Sequence, residues 1–200
     1  DILTYEEVSL YYPQPNRKRP VVLIGPPNVG RHELRQRLME SDMERFAAAI
    51  PHTTRSRKND TSRSQKDGEN DAKDYHFVPR HIFEQDIAEH KFVEYGEYEK
   101  SLYGTSLNAI REVVASGKIC VLNLYPQSLR ILKASDLKPY VVFISPPNME
   151  KLKRLRQKQT AKVTDEELKD IIEKAREMEE NYGHYFDLII VNFDLDRAYE

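Results

Sequence analysis

Residues 20–34 read Pro20-Val21-Val22-Leu23-Ile24-Gly25-Pro26-Pro27-Asn28-Val29-Gly30-Arg31-His32-Glu33-Leu34. A short apolar run leads into Gly25, four residues separate it from Gly30, and two polar residues then open a helical pattern. That is the spacing of a strand, a phosphate loop and a helix. In a working loop, backbone N–H groups and the helix N-terminus surround the phosphates. A lysine reaches the outer phosphates, and a serine or threonine hydroxyl holds magnesium. Here Arg31 and His32 occupy those two positions. Arg31 keeps the charge but is bulkier and forked, and His32 is a poor ligand for a hard ion that prefers oxygen. Pro26 and Pro27 remove two N–H donors, and Asn28 stands where a flexible loop favours glycine. The frame predicts the fold of a phosphate-loop protein. The substitutions predict that catalytic ATP use is lost and that the loop survives as a strand-to-helix turn.

Similar apolar runs recur at Ile119-Cys120-Val121-Leu122, Tyr140-Val141-Val142-Phe143-Ile144 and Leu188-Ile189-Ile190-Val191. None alternates with polar residues, as expected of strands covered on both faces. Between them Leu107, Ile110, Val113 and Val114 share one helical face, as do Leu168, Ile171, Ile172, Ala175 and Met178. Thr164 and Glu167 form a capping box that starts the second of these helices. The fold class is therefore α/β, a parallel sheet core flanked by helices. Residues 56–73 contain one apolar side chain, Ala72, in eighteen positions, and read as a mobile loop inserted in the domain. Ile2 to Val8 alternates as a strand does, and the proline-broken stretch 13–19 reads as a linker, so the main domain begins near Pro20.

The chain has 200 residues, 39% hydrophobic, which suits one sizeable core. Its 31 basic and 33 acidic residues nearly cancel, so no global field points to nucleic acid or an anionic membrane. No apolar run approaches the ~18 residues of a spanning helix, which argues against direct membrane insertion. The single cysteine, Cys120, has no internal partner, reads as a small buried apolar residue, and suits a reducing compartment. The six histidines are too scattered along the chain to suggest a metal site.

Several stretches together resemble the guanylate kinase family. They are Gly25-Pro26, His52-Thr53-Thr54-Arg55, Asp74-Tyr75-His76-Phe77-Val78, Phe92-Val93-Glu94, Leu102-Tyr103-Gly104-Thr105-Ser106 and Ile190-Val191-Asn192. Ser116 to Leu122 and Ser135 to Tyr140 further resemble the membrane-palmitoylated and Stardust branch of the membrane-associated guanylate kinase scaffolds. The resemblance covers residues 20–200. It implies a phosphate-loop kinase core, an inserted mostly-β subdomain near 53–105 and a helical lid. It also implies that residues 1–12 are the trailing strand of a preceding SH3 domain. The usual strand after the last helix is not found.

In the enzymes the monophosphate pocket uses a serine, two arginines, two tyrosines, a glutamate and a small hydroxyl residue. Arg55, Tyr75, Glu94, Tyr103 and Thr105 match. Lys58, or the adjacent Arg57, stands for the second arginine, and Pro51 replaces the serine. Arg55 can fork onto a phosphate, the tyrosine hydroxyls can donate to it, and Glu94 can accept from a guanine edge. The magnesium-linked acidic pair is replaced by Asn123-Leu124-Tyr125, and the lid arginine falls on Ile171. Lys153, Arg154 and Arg156 on the preceding helix read as a solvated face.

The transfer half is thus dismantled and the recognition half kept. The leading expectation is a module without cofactor or metal that binds protein or phosphopeptide ligands in the former monophosphate cleft. Such a scaffold lies in the cytoplasm at the inner face of the plasma membrane or at cell junctions. It would hold the tail of a polarity or junctional membrane protein together with neighbouring PDZ and SH3 domains, the SH3 contact being intramolecular. A slow guanylate kinase, with Arg31 in place of lysine, is the rival reading. A spacer that only completes the SH3 unit is a third. Ser56, Thr61, Ser62 and Ser64 lie among basic neighbours. Their phosphorylation would compete for Arg55, against the plainer reading of an unregulated variable loop.

Overall fold

The computed structural model describes residues 18–56, 75–158, 163–192 and 194–200. The strand read at 2–8, most of the linker, Arg57, Lys58, Asp74 and nearly all of the 56–73 loop lie outside the described residues, as does the side chain of Arg156.

The core is a five-stranded parallel sheet. Its strands are β1 (Val21–Ile24), β2 (Phe46–Ala47), β7 (Ile119–Asn123), β8 (Tyr140–Ser145) and β9 (Leu188–Val191), in the spatial order β2-β7-β1-β8-β9. Strands β3 (His52–Thr53), β4 (His76–Phe77), β5 (Phe92–Tyr98) and β6 (Ser101–Ser106) form a second sheet, ordered β4-β3-β6-β5. Apolar side chains cover the core sheet on both faces. On one face Val22, Ile24, Cys120, Leu122, Val141 and Phe143 pack under α3 (Leu107–Ala115) and α4 (Ser128–Ala134). On the other, Leu23, Val142 and Ile144 pack with Leu34 of α1 (Arg31–Ser41) and Leu195 of α7 (Leu195–Tyr199). Between β8 and β9 lie α5 (Met149–Lys158) and α6 (Asp165–Tyr182), the helical pair in the lid position. The capping box of α6 is present: the Glu167 N–H donates to Thr164 Oγ1, and the Thr164 N–H donates to Glu167 Oε2.

The small sheet has a core of its own, in which Phe83 of α2 (Arg80–Ala88) stacks on Phe92 at 4.5 Å beside Leu102. Gly104 fits closely there: a Cβ would lie 3.0 Å from Phe92 and 3.1 Å from Phe83, tight enough that these rings would have to give by a few tenths of an ångström.

One expectation needs correction. Strand β9 is not covered on both faces: Leu188, Ile189 and Val191 are 43%, 52% and 47% exposed. Among the described residues it pairs only with β8 and forms one edge of the sheet, and an apolar run cannot report which strand of a sheet is outermost. Two of the histidines, distant in sequence, meet in space. The pairing of β3 with β4 sets His52 opposite His76, with ring centroids 5.0 Å apart. No group of three or more His, Cys, Asp or Glu able to hold a metal occurs among the described residues.

Candidate functional site

In an open α/β sheet, ligands bind outside the carboxyl ends of the strands. Here those ends carry the loop 25–30 after β1, Leu124 and Tyr125 after β7, Pro146 and Pro147 after β8, and Asn192 after β9. The loop is tightly built. A Cβ on Gly25 would lie 2.6 Å from the Ile144 carbonyl oxygen. Asn28 and Gly30 both take left-handed backbone, with φ of 62° and 79°. The Asn192 side-chain amide donates to the Val29 carbonyl at 2.6 Å, and a Cβ on Gly30 would meet that same amide nitrogen at 2.6 Å.

Arg31 does not turn into the loop. Its guanidinium donates to the Leu124 carbonyl at 3.0 Å, bridging α1 to the end of β7. Burial lowers its pKa, against the opposing pull of Tyr125 and Glu94. His32 is exposed on the first turn of α1. Ile171 is buried against Leu23, Val29 and Leu34. An apolar side chain at this position therefore fastens the lid helix to the loop.

The second group of residues forms a recess on the small sheet. Pro51, Tyr75, Glu94, Tyr103 and Thr105 line one cavity of about 340 Å³ with Tyr95, Gly96, Gly104 and Tyr125. Arg55 lines an adjoining cavity of about 400 Å³ with Tyr75, Gly96, Glu97, Tyr98 and Tyr103. The Arg55 guanidinium carbon lies 5.2 Å from the Tyr75 ring centroid, and Tyr75 meets Tyr103 edge to face at 6.0 Å. Thr53 Oγ1, accepting from the Arg55 N–H at 3.1 Å, fixes the turn that carries Arg55. The structure thus brings six of the expected residues together across two adjoining cavities. Lys58 lies outside the described residues.

Glu94 differs from expectation. Its Oε2 accepts from the Tyr125 backbone N–H at 3.0 Å and from the Ser128 hydroxyl at 3.4 Å. The carboxylate therefore ties the small sheet to the core at the segment that follows β7. Sequence reasoning missed the tyrosine rim: Tyr95, Tyr98 and Tyr125 are 55%, 61% and 63% exposed around the two cavities. Exposed large aromatics gathered at one recess mark a recognition surface.

The family profile described as Guanylate kinase matches residues 17–200. The chain belongs to the guanylate kinase family. It is 55% identical over 200 residues to Protein PALS1 of Danio rerio, an alignment that covers all of this chain and 28% of that protein. It is 43% identical over 213 residues to MAGUK p55 subfamily member 7 of Xenopus tropicalis, covering all of this chain and 35% of the relative. With MAGUK p55 subfamily member 4 of Mus musculus it shares 42% over 205 residues, covering 97% of this chain and 31% of that one. This chain therefore spans about a third of the length of these relatives, and is a guanylate kinase-like domain of the membrane-associated guanylate kinase type. Guanylate kinase from Anaplasma phagocytophilum shares the fold, with a TM-score of 0.52 and 22% identity over 92% of this chain and 81% of that one. The SH3-kinase fragment of tight junction protein 3 does so with a TM-score of 0.51 and 18% identity, over 92% of this chain and 54% of that one.

Proposed function

We propose that this guanylate kinase-like domain is a non-catalytic interaction module whose tyrosine-lined recess binds partner peptides. The observation that carries the reading is the contrast between the two halves of the cleft. Arg31 is spent on the Leu124 carbonyl, while Arg55, Tyr75 and Tyr103 surround open cavities. Arg55 is the group to fork onto a phosphoserine or an acidic side chain, and Pro51 and Tyr125 offer apolar surface to neighbouring residues. Glu94, half-occupied by Tyr125 and Ser128, acts more in setting the cleft opening than in reading a base.

Magnesium and ATP do not fit the residues present. His32 offers no hydroxyl, Asn123-Leu124-Tyr125 offers no carboxylate, and Arg31 is turned away. Phosphoryl transfer depends on positioning and charge neutralisation, and these side chains supply neither to a magnesium-bound nucleotide. Likeness to PALS1 supports a place at cell junctions and in polarity assemblies, with the tail of a junctional or polarity membrane protein as ligand and PDZ and SH3 domains as neighbours. Residues 1–12 are assigned to the SH3 neighbour. No helix among the described residues is long and apolar enough to cross a membrane.

A coupled assay with ATP, GMP and magnesium tests the non-catalytic claim. No turnover above background is expected. Turnover abolished by Arg31→Ala would overturn it.

A further inference from the structure

A third cavity, of about 610 Å³, lies between the phosphate loop and the α5–α6 pair. Its volume is within the roughly 300–1,000 Å³ range of ligand sites, and the recess on the small sheet shares none of its residues. Leu152 and Leu155 of α5, Leu168 and Ile171 of α6, and Val29 and Leu195 supply apolar walls.

Among the described residues, several of the polar groups that would suit an anion there are missing or engaged. Pro27, Pro146 and Pro147 have no N–H. Asn192 is committed to the Val29 carbonyl, and Arg31 to the Leu124 carbonyl. Among the described residues, the charged groups that line the cavity are Glu167, Asp170 and Lys174. Lys174 sits 2.8 Å from Asp170, an exposed pair that offsets one carboxylate. The Glu167 carboxylate accepts the Thr164 backbone N–H at 2.7 Å, a neutral donor that leaves the rim one acidic group in excess. A cavity with apolar walls and a rim of one excess negative charge disfavours a nucleotide's phosphates and favours an apolar group carried by a cationic chain.

We propose that this cavity is a second peptide-docking site, taking a leucine- or phenylalanine-sized anchor flanked by arginine or lysine. The anchor would sit between Leu155 and Ile171 above Val29. The flanking cations would lie over Glu167 and Asp170. The chemistry is opposite in sign to that proposed for the Arg55 recess, so the two sites select different segments and can be filled together.

The test is an amide NMR titration of the whole chain with the capped hexapeptide RKLFRK. Saturable shifts are expected at Val29, Gly30, Ile171 and Leu195. The peptide RKAARK should bind at least fivefold more weakly for loss of the apolar anchors, and EELFEE should leave those amides unmoved. Asp170→Asn, an exposed change, should weaken RKLFRK about threefold and leave binding at the Tyr75 and Tyr103 amides untouched. Leu155→Gln should weaken it further. The proposal is overturned if RKLFRK produces no saturable shift or moves only Tyr75 and Tyr103. Equal binding of EELFEE also overturns it, as does magnesium-ATP occupying the same amides more tightly.

Discussion

Gly30→Ala probes whether the phosphate loop now serves as a structural turn. Gly30 has φ of 79° and ψ of 17°, a left-handed conformation that costs an L side chain roughly 1–2 kcal/mol. The added methyl would also lie 2.6 Å from Asn192 Nδ2, which must then move and release the Val29 carbonyl. Losing that hydrogen bond costs about 1 kcal/mol, and somewhat more if the carbonyl stays dry. The sum is about 2–4 kcal/mol, or a fall in Tm of roughly 5–15 °C for a domain of this size. Urea unfolding followed by circular dichroism measures it. The steric part depends on Asn192. In an Asn192→Ala background Gly30→Ala should cost only the roughly 1–2 kcal/mol of backbone strain. The reasoning is refuted if Gly30→Ala costs less than about 0.5 kcal/mol, or costs the same in both backgrounds.

Three other outcomes are expected. The β5–β6 turn places Glu99 and Lys100 at φ of 46° and 65°, so Glu99→Asn with Lys100→Gly should raise stability by about 1 kcal/mol in urea unfolding. Burial pushes the Cys120 thiol up from 9.0 to about 12. The folded state then holds a proton that the unfolded chain releases above pH 9, so stability should fall as pH rises from 9 towards 12. Cys120→Ala should flatten that fall in pH-dependent unfolding curves. Burial, and next the neighbouring His76, lower the pKa of His52 below 6.5, against Asp86 and Glu112. The unfolded chain therefore binds more protons in acid, and stability should drop as pH falls through 6.5, less steeply in His52→Gln.

Much of the fold was legible because burial and periodicity are local signals. The apolar runs from Val21, Ile119 and Tyr140 became the three inner strands of the core sheet. Thr164 and Glu167 capped α6 as their spacing predicts. What was hidden depends on long-range pairing. Leu188–Val191 has the composition of an inner strand and lies at the edge. His52 and His76 are 24 positions apart in sequence and meet only because β3 pairs with β4. The family pattern located Arg55, Tyr75 and Tyr103, but it could not show that Arg31 reaches across to Leu124 or that Glu94 engages the Tyr125 backbone. Tyr95 and Tyr98 escaped notice for a different reason. Strand β5 runs out into solvent after Glu94, so its second half has no alternation to mark a lining face.

The central claim is that the tyrosine-lined recess, with Arg55 at its side, captures a partner peptide. Isothermal calorimetry compares the native chain with the Arg55→Ala, Tyr75→Phe double variant. The ligand is a peptide from the cytoplasmic tail of a junctional membrane protein, with and without a phosphoserine. Saturable binding to the native chain is expected, weakened about tenfold or more in the double variant, a loss of about 1.4 kcal/mol or greater. Unchanged affinity in a folded double variant would contradict the account.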